Sequence, residues 1–411
     1  MTVESPKVKY NVRVVASSRG RYIAGEIASC GVKKSRVEDA VSDTEHFTIK
    51  LESVPAPECI ILKYRMLEAG GTLFFSESVL EKGAQFSDSI VTGSRRQFRV
   101  LRESLQNDPF DLPSLGRDIL EVIEHFCRDS FVISYPGGSL TLAHRPFLVG
   151  VINVTPDSFS DGGDFLSPER AIEHGLALAE EGADILDIGG ESTRPGAQPV
   201  EAAEELRRVI PVISALSEKC SVPLSIDTYK AEVAVEAIAA GAKMVNDITG
   251  LFGHSAMAEV VAEQKVPVVL MHIKGTPEDM QVSPKYKDLI SEIIARLRQS
   301  LERAKSCGID FEKTIIDPGI GFGKTAGHNL EILNRLDEFR SLGRPVMVGT
   351  SRKSFIGQIL GVPPKERILG TAVSSAVAIL KGAKLLRVHD VRETKQVLKV
   401  TNAIATGKIT D

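Results

Sequence analysis

The sequence of 411 residues lacks the features that mark membrane, secreted and zinc-stapled proteins. No apolar run approaches the roughly 20 residues that a membrane-spanning helix requires. The N-terminus also lacks the long apolar core of a secretion signal. The cysteines number only five, stand far apart and form no CxxC pair, which argues against a zinc site and a disulfide framework. We therefore expect a cytoplasmic protein with no membrane partner.

An excess of charge of one sign is lacking as well. The formal net charge is −4 and both signs are interspersed, so nothing in the sequence indicates a nucleic-acid partner. Several catalytic signatures are missing too, among them HExxH, a cysteine nucleophile and the Ser/His/Asp order of a hydrolase. The composition, 43% hydrophobic and 25% charged, is that of an ordinary globular protein. The length predicts two domains, or one large domain with an extension.

A repeated unit occupies residues 146–411. In each unit a short apolar run ends in polar or glycine residues and is followed by an amphipathic helical stretch. The high Val, Ile and Leu content of the runs suits strands that are buried on both faces of a parallel sheet. Eight such units predict a TIM (β/α)8 barrel, whereas a doubly wound open sheet, the alternative, rarely needs eight even units. The eight runs cover residues 147–154, 183–190, 223–228, 243–248, 267–272, 314–319, 345–351 and 385–391.

Residues 1–145 do not show this repeated strand–helix pattern. Alternating polar and apolar residues predict strands at 10–16 and 46–52, and helical spacing predicts helices at 78–84 and 115–126. We interpret the region as a small α+β domain or extension of unknown role. The connection to the barrel is expected at 135–146, and its tail can also form a hairpin that plugs the bottom of the barrel.

Polar residues end nearly every predicted barrel strand, where a TIM barrel builds its active site. For one residue alone, a strand that turns polar on meeting water is the commoner explanation. Eight strands that converge on one rim make that explanation hard to hold for the whole set, because buried charges need partners. The set comprises Asn153, Asp187, Glu191, Asp227, Asn246, Asp247, His272, Asp317, Ser351, Arg352, Lys353, Arg387, His389 and Asp390.

The chemistry of this set favours one class of ligand. Carboxylates and amides suit the donor-rich edge of a heterocycle, and the cations suit a phosphate or carboxylate tail. The segment GIGFGKT at 319–325 is one residue short of the P-loop spacing and follows a barrel strand, so a nucleotide-triphosphatase is disfavoured. Its glycines are better suited to let the backbone approach a flat ligand, with Phe322 offering an apolar face.

The sequence from about residue 147 to the C-terminus resembles the dihydropteroate synthase family. Seven motifs occur in the family's order, and no part of residues 1–145 belongs to them; that region vaguely resembles N-terminal extensions of some bacterial members. The motifs are NVTPDSFSDGG (153–163), DIGGESTRPG (187–196), SIDTYK (225–230), NDITG (246–250), DPGIGFGK (317–324), GTSRKSFIG (349–357) and RVHDV (387–391).

The resemblance implies an Mg²⁺-dependent condensation of 6-hydroxymethyl-7,8-dihydropterin diphosphate with p-aminobenzoate. It implies that Asn153 binds the Mg²⁺ and that Arg387 and His389 hold the diphosphate. The residues that it implies for the pterin ring are Asp227, Asn246, Asp317 and Lys353. The residues that it implies for p-aminobenzoate are Thr193, Arg194, Pro195, Phe322 and Ser351. Those to which it gives a catalytic role are Lys353, Asp227, Arg387 and His389.

Other interpretations stay open at this point. A corrin-linked methyltransferase of the same superfamily shares the pterin contacts, and a pterin-binding protein without turnover would keep the motifs too. Asn153 is also suited to cap the first loop, and Arg194 to be a solvated loop charge. Lys274 stands where the family pattern leads us to expect Gln or Asn, which would change hydrogen bonding on the pterin side. The resemblance also implies a homodimer formed through the last helices of the barrel.

Overall fold

The computed structural model describes residues 21–81, 83–143, 145–155, 167–194 and 196–409. The chain forms two compact units, Met1–Glu124 and His125–Asp411. Among the described residues, no helix is long and apolar enough to cross a membrane. The strand predicted at 10–16 lies outside the described residues.

The N-terminal unit contains a three-stranded antiparallel sheet of order β1-β3-β2. Leu73 and Val91 of the sheet are buried, as are Leu62 and Met66 of the third helix. The elements of this unit are α1 (Arg21–Ser29), α2 (Lys34–Thr44), β1 (His46–Pro55), α3 (Ala56–Glu68), β2 (Thr72–Phe75), β3 (Phe86–Ser94), α4 (Arg95–Ser104) and α5 (Leu112–Cys127), the last of which ends just beyond the unit. The sequence thus leads to a small α+β unit, as expected.

The local predictions for this unit have mixed outcomes. The strand at 46–52 and the helix at 115–126 are confirmed by β1 and α5. The helix at 78–84 is wrong, because only a single 3-10 turn forms at Glu77–Val79. In that segment Val79 is buried whereas Leu80 is exposed, so there is no continuous apolar face to stabilise a longer helix.

The second unit is the predicted TIM barrel. Its eight strands form one parallel sheet of order β11-β10-β9-β8-β7-β6-β13-β12, and the N–H of Ile316 donates to the carbonyl of Pro345 at 3.0 Å between the two end strands. The open-sheet alternative is therefore wrong. The strands are β6 (Phe147–Asn153), β7 (Ile185–Gly189), β8 (Leu224–Asp227), β9 (Met244–Asp247), β10 (Val268–Met271), β11 (Thr314–Asp317), β12 (Met347–Val348) and β13 (Leu385–Val388).

Helices surround this sheet, and the first of them is capped at both ends. In the first, the Ser167 hydroxyl accepts the N–H of Arg170, and Gly182 ends the helix in the left-handed conformation. The helices are α6 (Pro168–Glu181), α7 (Ala202–Lys219), α8 (Ala231–Ala239), α9 (Met257–Gln264), α10 (Leu289–Ser306), α11 (Ala326–Asn334), α12 (Ser354–Leu360), α13 (Ile368–Leu380) and α14 (Val391–Thr406).

A hairpin of β4 (Phe131–Tyr135) and β5 (Gly138–Leu142) closes the amino-terminal end of the barrel. Its side chains form one buried cluster with residues from the first halves of the barrel strands, which confirms the predicted plug. The hairpin belongs to the barrel unit, so the structural boundary lies before it and not at 145/146. The cluster contains Phe131, Ile133, Leu140, Leu142, Val149, Ile185, Met244, Val269, Ile315, Met347 and Leu385.

Candidate active site

Buried and partly buried polar side chains from β7, β8, β9 and β13 meet around Arg387 at the carboxyl ends of the strands. The Arg387 guanidinium donates through Nε to Asp187 Oδ2 at 2.7 Å and through Nη2 to Asp227 Oδ2 at 2.6 Å. The Asn246 amide donates to the same Asp187 oxygen at 2.9 Å. Three predicted substrate residues therefore come together: Asp187 accepts from Arg387 and Asn246, and Asp227 accepts from Arg387.

The charges in this Arg387 network stabilise one another in a buried place. Burial raises the pKa of the Asp227 carboxyl, and Arg387 opposes that shift. Burial lowers the pKa of the Arg387 guanidinium, but Asp187 and Asp227 outweigh it and the net shift is upward. Asp187 is fully buried, and within the described part of the chain its Oδ1 has no hydrogen-bond partner. The network thus holds Arg387 charged and fixed in orientation.

A second cluster lies at the ends of β11 and β12. The Lys353 ammonium stands over the ring of Phe322, with Nζ 4.3 Å from the ring centroid. Gly321 has a φ of +84°, and a Cβ there would lie 3.2 Å from Lys353 Cδ, so this close approach needs glycine. Asp317 is buried and accepts the N–H of Gly319 at 2.7 Å. Burial raises the pKa of Asp317 to about 6 and lowers the pKa of Lys353 to about 8.

Ser351 and His389 contact each other beside this cluster. The His389 N–H donates to Ser351 Oγ at 3.3 Å, and the ring Nδ1 lies 3.0 Å from the same oxygen. Burial, together with the charge of Arg387, lowers the pKa of His389 to about 3, so the ring is neutral at pH 7. The neighbouring Arg352 donates to Asp390 at 2.6 Å. The predicted diphosphate ligand His389 is therefore a neutral imidazole at this pH.

Lys324 is a buried cation to which the sequence analysis gave no role. Its side chain is only 2% exposed. Its Nζ donates to the carbonyl of Phe322 at 2.9 Å and lies 3.0 Å from His272 Nδ1. Burial lowers the pKa of Lys324 to about 7 and that of His272 to about 2. A Cβ at Gly319 would lie 1.9 Å from the carbonyl oxygen of His272, so the loop that carries Asp317 packs directly on the end of β10.

Asp187 and Lys324 had no assigned role in the prediction from sequence, which contained a signal for the first of them and not for the second. Asp187 lies within an apolar strand, and a carboxylate there must find a partner. The burial of Lys324 follows from the path of its loop, which no sequence pattern specifies. Asp247 is the opposite case, a strand-end carboxylate that only caps the next turn. It accepts the N–H groups of Thr249 and Leu251 at 2.8 Å each.

The other predicted site residues lie on β6 and on the loop after β7. Asn153 is the last residue of β6 and is half-buried. Its amide makes no hydrogen bond to any residue that the structure describes, and most of the first loop, residues 156–166, lies outside the described residues. Thr193 is half-buried and Arg194 is exposed, whereas Pro195 lies outside the described residues.

Lys274 has hydrogen-bond and ion-pair partners of its own. Its ammonium donates to the carbonyl of Lys285 at 2.5 Å and to Glu292 at 3.0 Å, and it stands 4.1 Å from the centroid of the Tyr286 ring. Within the described chain, these contacts link Lys274 to none of the predicted pterin residues. Glu292 therefore compensates this charge, and an effect of Lys274 on hydrogen bonding at the pterin side stays a prediction.

The fold and this site define a pterin-binding barrel enzyme, and residues 149–389 match the family described as pterin binding enzyme. A dihydropteroate synthase from Synechocystis is 48% identical over 261 residues, which are 63% of this chain and 90% of that protein. The chain belongs to the dihydropteroate synthase family, whose members are transferases of folate biosynthesis. A solved dihydropteroate synthase from Xanthomonas albilineans, with 4-aminobenzoic acid, has a TM-score of 0.63 at 47% identity and covers 67% of this chain and 98% of its own.

A third relative extends the likeness beyond the barrel. A probable bifunctional folylpolyglutamate synthase/dihydropteroate synthase from Haloferax volcanii is 34% identical over 400 residues. The match includes 95% of this chain and 46% of that protein, so most of residues 1–145 is shared with it. The N-terminal unit is thus not confined to this chain. These relatives share the synthase name, which favours this family over the methyltransferase alternative.

Proposed function

We propose that this chain joins p-aminobenzoate to 6-hydroxymethyl-7,8-dihydropterin diphosphate and releases 7,8-dihydropteroate and diphosphate. The observation that carries the proposal is the buried Arg387 network inside residues 149–389, the segment that matches pterin binding enzymes. The solved relative with 4-aminobenzoic acid supports the choice of the second substrate. The five cysteines are all free, which is consistent with a cytoplasmic location.

The pterin ring would lie between the two clusters of the site. Its aminopyrimidine edge presents N–H donors, and the Asp317 carboxylate is suited to accept hydrogen bonds from them. Asp227, Asn246 and Lys353 would bond the remaining polar atoms of the ring. Arg387, fixed by its two carboxylates, presents a planar cation that can stack on the ring. Because three of its five N–H groups are not used in the network, it can also donate to the diphosphate.

Mg²⁺ would be held through Asn153 and the diphosphate. The amide oxygen of Asn153 is a hard ligand with no competing hydrogen bond in the described chain, and Mg²⁺ often binds with one or two protein ligands beside substrate phosphates. Among the described residues, no group of three His, Cys, Asp or Glu side chains is suited to hold a metal, which agrees with an ion that arrives with the substrate. When bound, Mg²⁺ would neutralise charge on the diphosphate.

The chain's own residues supply alignment and charge for the reaction. As the methylene–oxygen bond breaks, the bonding pair leaves with the diphosphate, where Arg387 and His389 stabilise it. The amine of p-aminobenzoate forms the new carbon–nitrogen bond and then loses a proton to solvent. An arylamine is a sufficient nucleophile, so no strong general base is needed. Thr193, Arg194, Pro195, Phe322 and Ser351 would hold the arylamine in line with the methylene.

The reaction is tested by incubating the purified chain with pterin diphosphate and labelled p-aminobenzoate, with Mg²⁺ or with a chelator. Labelled dihydropteroate is expected only with Mg²⁺. The variant Asn153→Ala should need a higher Mg²⁺ concentration for half-maximal rate. Absence of product from folded protein that binds the pterin would reject the proposal in favour of binding without turnover.

A homodimer through the last two helices is part of the same proposal. Along α13 an exposed apolar stripe runs at helical spacing, and α14 packs beside it with two more exposed apolar side chains. Large exposed apolar patches mark interaction sites. The stripe and its neighbours are Leu369, Val373, Val377, Leu380, Val400 and Ile404. Light scattering should give a dimer for the wild type and a monomer for Val373→Glu; a monomeric wild type would contradict the dimer.

A further inference from the structure

The loop between β7 and α7, residues 190–201, is closed at its base by one carboxylate. Glu191 lies two residues after the end of β7, and Val200 lies two residues before α7 begins. The N–H of Val200 donates to Glu191 Oε2 at 3.1 Å. Both ends of the loop therefore meet at Glu191, and the segment between them carries Thr193 and Arg194.

The Glu191 carboxylate is itself fixed by neighbours from two other elements. The Tyr229 hydroxyl donates to Glu191 Oε1 at 3.0 Å, and the Lys230 ammonium donates to Oε2. The same ammonium donates to Glu205 Oε2 at 2.5 Å, in the first turn of α7. The Glu191 and Glu205 side chains are only 6% and 1% exposed. Because buried charges of this kind need partners, Lys230 holds the base of the loop and the start of α7 together.

This anchor is directly connected to the pterin side of the site. Tyr229 and Lys230 follow Asp227 by two and three residues, and Asp227 is bonded to Arg387. At the other end, Arg194 of the loop is near enough to contribute to the lowered pKa of both Lys353 and His389. One short turn after β8 thus links a carboxylate of the Arg387 network to the loop that carries Arg194.

We propose that Glu191 and Lys230 are positioning residues that set the place of Thr193 and Arg194 over the arylamine substrate. They act through the loop and not by contact with either substrate. This inference rests on the proposed function, because it assigns the loop to the second substrate.

The test uses the full chain with Lys230→Met, Lys230→Arg and Glu191→Gln. Lys230→Met should raise the KM for p-aminobenzoate about tenfold or more, since a loop residue displaced by about 1 Å loses such factors. The affinity for the pterin diphosphate should change less than about twofold, and Lys230→Arg should restore most of the KM. Glu191→Gln keeps an acceptor for Val200 and should give an intermediate KM.

Control variants separate an effect on the position of the loop from a general loss of protein stability. Arg207 forms an exposed ion pair with Glu204 on α7, so Arg207→Met should leave both substrates' constants unchanged. If Lys230→Met does not fold, the double variant Lys230→Met/Glu205→Gln, which removes one of the two carboxylate charges that Lys230 compensates, takes its place. An unchanged KM for p-aminobenzoate, or an equal loss of affinity for both substrates, would overturn the proposal.

Hydrogen exchange gives a readout that does not depend on turnover. The Val200 amide and the following residues should exchange faster in Lys230→Met than in the wild type, whereas amides of β8 should not change. Unchanged exchange at Val200 would overturn the anchor even if the enzyme is active. Faster exchange in a chain whose wild type makes no dihydropteroate would reject the proposed function and leave the anchor standing.

Discussion

Each ionisable side chain at the mouth of the barrel is set in its charge state by burial and by one or two neighbours. Asp187 and Asp227 share Arg387, while Asp317 is bonded by the Gly319 N–H. The result is a rim on which carboxylates accept and cations donate at fixed positions. A planar ring with both donors and acceptors can therefore bind without rearrangement of the charges.

Asp317 makes pterin binding depend on pH. Burial raises the pKa of Asp317 to about 6, so the carboxylate that accepts from the pterin is present at pH 7 and is lost as the pH falls below that value. The affinity for 6-hydroxymethyl-7,8-dihydropterin, which carries no titrating diphosphate, should fall about tenfold per pH unit below 6. Titration calorimetry from pH 5 to 8 measures this. A pH-independent wild type would contradict the assignment, and Asp317→Asn should bind weakly at every pH.

Lys324→Met should destabilise the protein by about 1–3 kcal/mol, because the carbonyl of Phe322 loses a buried donor. The loss should also depend on pH. The pKa of Lys324 is about 7 in the folded chain against 10.5 ordinarily, so the unfolded chain binds more protons between these values and this residue makes stability rise with pH there. Urea unfolding should show that the free energy of unfolding rises less between pH 7 and pH 9 in the variant than in the wild type. An identical rise would show that Lys324 is not the titrating group.

At the scale of elements, continuous Val/Ile/Leu runs made the barrel strands predictable because both faces of each strand are covered. The same logic fails for β12, where only Met347–Val348 are strand within the predicted run 345–351. The helix predicted at 78–84 rested on helical spacing instead, and it fails because the apolar residues there are too few to form a continuous face. The strand ends predicted which polar side chains come together, because a barrel collects them on one rim. Lys324 was not predictable, since a loop's path decides its burial.

The hairpin β4–β5 is expected to stabilise the barrel by filling its amino-terminal end. Ile133 and Leu142 are fully buried, so Ile133→Ala and Leu142→Ala should each reduce the free energy of unfolding by about 2–5 kcal/mol. Val132 lies between Phe131 and Ile133 but is exposed, and Val132→Ala should cost less than about 0.5 kcal/mol. Urea denaturation compares the three variants. Equal costs for Ile133→Ala and Val132→Ala would contradict the role of the hairpin as a plug.

At the scale of the whole molecule, we expect the barrel unit to catalyse the reaction without the N-terminal unit. The Synechocystis relative matches 63% of this chain over 90% of its own length, so that relative has little room for such an N-terminal unit. A chain that begins at His125 should keep kcat and both KM values within about twofold. A chain that begins at Pro146 also loses the hairpin and should unfold at a lower temperature. Loss of activity from a folded chain that begins at His125 would show that residues 1–124 take part in the reaction.

The measurement that tests the central claim most directly compares wild type, Lys353→Ala and Lys365→Ala for dihydropteroate formation and for pterin affinity. Lys365 is exposed and serves as the matched control. The wild type and Lys365→Ala should form dihydropteroate equally. Lys353→Ala should bind the pterin about 10- to 100-fold more weakly, as expected for loss of a charged hydrogen bond. Its rate of dihydropteroate formation should fall by at least the same factor. Pterin affinity and product formation that are unchanged in Lys353→Ala would contradict the placement of the pterin at this rim.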